Sequence, residues 1–120
     1  MLKYLCFVKV FYISVYFLRN GFPEDKFRLR NTLIELGKER LCALHIHDTN
    51  FVEDLHTIPY LHKINYGDVL NALSEIEYSG DITFEANAVY RNFPKELHLS
   101  VARLMCDIGN HFAETLTAKS

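Results

Sequence analysis

Residues 41–48 run Leu41-Cys42-Ala43-Leu44-His45-Ile46-His47-Asp48, and residues 81–86 run Asp81-Ile82-Thr83-Phe84-Glu85-Ala86. Side chains alternate across a strand, so in the first stretch Ala43, His45 and His47 share one face while Cys42, Leu44 and Ile46 take the other. In the second, Thr83 and Glu85 oppose Ile82 and Phe84. Each stretch therefore predicts a short strand, apolar toward one side and polar toward the other, with its ionisable groups near the C-terminal end. The first strand breaks at Asp48-Thr49-Asn50 into a loop that runs to about Asn65.

Helical patterns surround the two strands. After the breakers Asn20-Gly21 and Pro23, residues 24–36 carry Phe27, Leu29, Leu33, Ile34 and Leu36, an apolar stripe that stops at Gly37. Asn65 or Tyr66 opens a second helix with Val69, Leu70, Leu73 and Ile76 on one side, Asp68 favouring its N-terminal dipole and Ser79-Gly80 ending it. The longest helix is expected from Pro94 to about Leu116, burying Leu97, Val101, Leu104, Met105, Ile108 and Phe112. The order helix, strand, helix, strand, helix predicts an α/β fold in which two strands joined through a helix make a right-handed parallel unit. In βα barrels the C-terminal ends of such strands form the catalytic rim.

The chain has 120 residues, room for one core and little else, and its 49% hydrophobic content with three prolines and five glycines is that of a folded chain. A formal charge of -2 gives no general basic footprint for nucleic acid or an anionic membrane. Cys6, Cys42 and Cys106 are widely spaced and form no CxxC, which points away from a disulfide framework and toward a reducing, cytoplasmic setting. Residues 1–20 differ from residues 21–120. From Leu2 to Leu18 the chain is nearly all apolar and aromatic, broken by Lys3 and Lys9. Lys9 inside the apolar centre and the absence of a small-residue cleavage site argue against a signal peptide, and the stretch is short for a membrane span.

Six residues stand out: His45, His47, Asp48, Asp54, His56 and Glu85. Imidazoles and carboxylates at strand ends suit zinc, manganese, iron or cobalt rather than a thiolate-specific ion. A His-x-His pair on one strand also serves as ordinary hydrogen-bonded polar filling, and Asp54 with His56 in a loop is also ordinary surface. Glu85 is harder to place that way, because a carboxylate in a short buried strand is costly unless it is paired or bound.

The wording of residues 41–86 resembles the last two barrel strands of the xylose isomerase-like superfamily, which includes sugar-phosphate isomerases, ketose epimerases, inosose dehydratases and the endonuclease IV type of DNA repair enzyme. The shared pattern is a strand ending in His-x-x-Asp (His45, Asp48), Asp-x-His in the loop (Asp54, His56), Pro59, a helix start Ile64-Asn65-Tyr66, a Tyr78-x-Gly80 turn and a strand ending in Glu85. It covers roughly residues 31–116. The resemblance implies a partial (β/α) TIM barrel, its last two or three βα units, and a divalent ion (manganese, zinc, cobalt or magnesium) held by His45, Glu85, Asp54 and His56. It implies Glu85 as an acid/base group as well as a ligand, with His47, Asp48 and Lys63 near the substrate, a sugar or sugar phosphate.

The chain departs from the pattern at His62, where the family often has Gly. The two further acidic ligands that the family places on earlier strands have no counterpart in recognisable context. A whole barrel takes roughly 250 residues, so the chain is expected to be a C-terminal fragment, inactive alone, with open sheet edges that invite self-association. The endonuclease branch is the alternative reading, ranked lower by the -2 charge and the lack of a basic strip; a non-catalytic interaction or vestigial protein is the third.

Overall fold

The computed structural model describes residues 10–12, 28–50, 52–53 and 55–119. The apolar segment 1–20, apart from the backbone of residues 10–12, the expected helix start at residues 24–27 and Asp54 lie outside them.

Both expected strands form, as β2 (Ala43–Ile46) and β3 (Asp81–Phe84), and β1 (Val10–Tyr12) lies beside them. Among the described residues the sheet runs β1-β2-β3 with both pairings parallel, as an α/β fold requires. Alternation decides what each face meets. Leu44 and Ile46 are wholly buried while Ala43 and His45 keep partial exposure; Ile82 and Phe84 are half-buried while Asp81 and Thr83 are exposed.

Helices α1 (Arg28–Arg40) and α2 (Tyr66–Glu75) cover the apolar face. Leu29, Leu33, Leu44, Ile46, Tyr66, Val69, Leu70 and Leu73 join Phe112 in one core. Each fully buried Leu or Ile there contributes about 1.5–3 kcal/mol. Gly37 interrupts α1 with a left-handed φ of 64°, where glycine carries no Cβ penalty. The helical turn beyond it reaches Arg40, whose guanidinium donates to the carbonyls of Leu36 and Glu35 across the interruption.

Asn65 caps α2 as its sequence predicts, its Oδ1 accepting from the Asp68 N–H at 3.2 Å. The far end corrects the reading: the helix stops at Glu75, well before Ser79-Gly80. Tyr78 N–H bonds the Leu73 carbonyl at 2.9 Å and Glu77 N–H the Ser74 carbonyl at 3.0 Å, with Glu77 left-handed at φ 54°. This is the glycine-type helix ending built on a glutamate, which is why composition did not reveal it. Lys38 donates to Glu77 at 2.7 Å and Arg30 pairs with Glu75, so two exposed ion pairs link α1 to the last residue of α2 and the turn that follows it. The Lys38 contact lowers the Glu77 carboxyl and raises the Lys38 ammonium, though pairs this exposed add little to stability.

Gly80 has a different purpose. A Cβ there would lie 2.1 Å from the Cys42 carbonyl oxygen and 2.6 Å from the Tyr78 hydroxyl, so only glycine lets the chain enter β3 this close to β2.

Two 3-10 turns, Asn87–Asn92 and Lys95–Leu97, lead into α3 (His98–Ala118). Of the expected stripe, Val101 and Phe112 are buried and Met105 and Ile108 half-buried, but Leu97 is 45% and Leu104 48% exposed. Leu97 falls in a turn of tighter period that rotates it out of the stripe, and Leu104 stands at the stripe's margin. Between α3 and β3 lies a cavity of about 590 Å³ lined by Ile82, Phe84, Met105, Cys106, Gly109 and Leu116 among others. Among the described residues no helix is long and apolar enough to cross a membrane.

Candidate metal centre

Strand register builds the site. His45 pairs with Thr83 and Ile46 with Phe84, and the Glu85 N–H continues the ladder to the Ile46 carbonyl at 2.9 Å. The same register carried one step further brings His47 level with Glu85, just past the strand ends and at the C-terminal edge of the parallel sheet. In α/β folds this edge is where ligands bind.

The chain then doubles back. Asp48 and Thr57 form an antiparallel bridge, with the Asp48 N–H donating to the Thr57 carbonyl at 2.8 Å. This returns His56 to the side of His47, ring centroids 4.0 Å apart at 55°. His56 adopts φ 46°, a left-handed conformation that histidine tolerates better than most residues but that still costs on the order of 1 kcal/mol. Its Nδ1 lies 3.2 Å from the Glu85 carbonyl oxygen. A carbonyl only accepts, so Nδ1 carries the proton and the imidazole lone pair is on Nε2. Metal-binding histidines are commonly fixed in this way, donating their other N–H to a backbone carbonyl.

His47, His56 and Glu85 each offer one donor atom, and the three atoms lie within 4.8 Å of one another. A tetrahedral ion with ligands at about 2.0–2.2 Å holds its donors somewhat more than about 3 Å apart, so small side-chain movements would close the set on a divalent cation. Two imidazoles and a carboxylate match the mixed nitrogen and oxygen ligation of zinc and its first-row neighbours, and three protein ligands leave positions for substrate or water.

His45, Asp48 and Lys63 lie around this group, and Asp54 is outside the described residues. His45 is on the same face as His47, its Nδ1 3.6 Å from Glu85 Oε2, with side chains 31% and 37% exposed: a neighbour of the carboxylate beyond hydrogen-bonding length. The Asp48 carboxylate is wholly buried and directed at loop backbone, Oδ1 accepting from Thr49 N–H at 2.8 Å and Ile64 N–H at 3.1 Å, Oδ2 from His62 N–H at 2.9 Å. Lys63 has its side chain exposed and contributes a backbone N–H to the Thr49 carbonyl at 3.1 Å.

The resemblance puts His45 among the ligands and His47 beside the substrate, whereas in the structure His47 is in the converging group and His45 lies next to it; neither Thr57 nor Tyr60 stands out in the sequence. Tyr60, at φ 77°, packs its ring against Tyr66 at 5.6 Å and edge-on to Phe112 at 5.9 Å, pinning the far side of the loop to the core. Asn50 was the available signal for an ordered loop: its Oδ1 accepts from the N–H groups of Val52 and Glu53 at 2.9 Å each, the local turn that asparagine favours.

The Tyr66 hydroxyl is buried near this loop without a hydrogen-bond partner among the described residues. Burial, and then the Asp48 charge, push its ionisation far above the ordinary phenol value of 10.0.

Comparison of the chain with protein-family models, with curated proteins and with solved structures finds no match.

Proposed function

We propose that this chain provides the metal-binding C-terminal rim of a (β/α) barrel enzyme that isomerises or epimerises a sugar or sugar phosphate. The observation that carries the reading is the convergence of His47, His56 and Glu85 at the C-terminal ends of two adjacent parallel strands, donor atoms within 4.8 Å of one another. The order of motifs from His45 to Glu85 supports it independently, through resemblance to the xylose isomerase-like superfamily. A divalent ion bound here would polarise a substrate carbonyl.

The chain's own residues divide the remaining work. His47 and His56 hold the ion from the β2 end and the returning loop. Glu85 closes the set from β3 and, as in the epimerase branch the sequence resembles, exchanges a proton at the carbon beside the carbonyl. His45, a third exposed and next to Glu85, meets a substrate hydroxyl on the open face of the sheet. Lys63, with its side chain in solvent, meets a phosphate or hydroxyl at the loop.

Metal binding is the test, read by calorimetric titration of the purified chain with zinc or cobalt. One ion per chain is expected, with affinity reduced tenfold or more in each of His47→Ala, His56→Ala and Glu85→Gln and changed only a few-fold in His45→Ala. Failure of the unmodified chain to bind, or binding indifferent to those three substitutions, would overturn the reading.

A further inference from the structure

We infer that Asp48 is a positioning residue for the metal centre, holding His47 and His56 in register through the loop rather than touching substrate; this rests on the metal reading above. The placement is symmetrical. Asp48 follows His47 in the chain, and Thr57 follows His56. Those two following residues are joined twice, by Asp48 N–H to the Thr57 carbonyl at 2.8 Å and by Thr57 Oγ1 to the Asp48 carbonyl at 3.3 Å. The bridge between them therefore fixes the separation of the two imidazoles.

The Asp48 side chain then secures the other end of the same loop. It accepts the N–H groups of His62 and Ile64, the residues that return the chain to α2, and that of Thr49 where the loop departs. A carboxylate this deeply buried is tolerated because backbone N–H donors replace its hydration. One residue thus ties the start, middle and end of the loop, and the left-handed His56 in its middle has the least freedom to leave its place beside Glu85. Both Asp48 oxygens are engaged by these amides, which argues against the substrate contact that its position on the rim first suggests.

The experiment is cobalt binding to the full chain, read by visible absorption, whose intensity and position report the number and type of ligands. Asp48→Asn keeps the size but turns an amide N–H₂ toward backbone N–H groups, and a 10–100-fold loss of cobalt affinity is expected, in the range found when groups that orient metal ligands are removed. Asp48→Ala should give the spectrum of His56→Ala, and the double variant should bind no more weakly than His56→Ala alone. Thermal unfolding of each variant separates this from general loss of stability, which would lower the melting temperature without altering the spectrum of the folded protein. Should Asp48→Ala fail to fold, Asp48→Asn and the unmodified chain decide: cobalt should slow amide exchange at Thr49, His62 and Ile64.

Wild-type cobalt affinity in Asp48→Asn, additive losses in the double variant, or exchange at those amides unmoved by saturating cobalt would each overturn the inference. If the unmodified chain binds no cobalt at all, it is the metal reading that fails.

Discussion

The two faces of the same sheet differ in what they keep from water. Leu44 and Ile46 on one face are fully buried against α1 and α2, whereas Ala43 and His45, alternating with them, retain contact with solvent. On β3 the half-buried Ile82 and Phe84 stand opposite the exposed Asp81 and Thr83. Burial free energy is concentrated on the helical side, and the groups capable of chemistry are collected on the other face and just past its strand ends, so stability should respond to the apolar members of the strands and not to the polar ones.

Adjacent residues give the sharpest way to break that contrast. Leu44→Ala should cost about 2–5 kcal/mol, because it removes a wholly buried side chain and leaves a cavity, while His45→Ala should stay within about 0.5 kcal/mol. Urea unfolding of the two variants measures both, and equal losses would mean that the faces are not distinct. Gly80→Ala is expected next in size, about 1–3 kcal/mol, since its Cβ would meet backbone at Cys42 rather than a yielding side chain. A normal urea midpoint for that variant would show that β2 and β3 can separate without loss.

The third difference shows only in alkali. Burial holds the Tyr66 phenol protonated well beyond its ordinary 10.0, and burial together with the Asp81 and Cys42 charges pushes Tyr78 up to about 12. Groups raised in the folded state stabilise it fully below their unfolded value and lose that contribution as pH climbs through the folded one. Stability should therefore fall from pH 10 upward, through pH 12 for Tyr78 and beyond for Tyr66, and urea midpoints for Tyr66→Phe should fall less steeply across that range.

What sequence made legible were features governed by neighbours in the chain. Alternation from Ala43 to His47 and from Asp81 to Glu85 gave the strands and their faces, and Asn65 gave a helix start, whereas Gly37, expected to stop the first helix, only kinks it before a further turn to Arg40. The features it hid depend on contacts across space. Glu77 ends α2 in a conformation that its side chain does not advertise, and Leu104 is left exposed by where α3 happens to rest. His47 joins His56 and Glu85 only because the loop reverses at the Asp48–Thr57 bridge, a pairing that no local spacing encodes. Of the residues singled out, His45, His47, Asp48, His56 and Glu85 lie in one neighbourhood, and the loop decides which of them converge.

Parallel pairing also has a kinetic consequence. Ala43 meets Asp81 and Phe84 meets Ile46 only after the whole of the loop and α2 between them has been gathered in, so the entropy of closing that length must be lost before a single ladder bond forms. The slow step in refolding should therefore be the docking of β3, and substitutions that loosen the intervening loop should lower the folding limb of a chevron plot more than they raise the unfolding one.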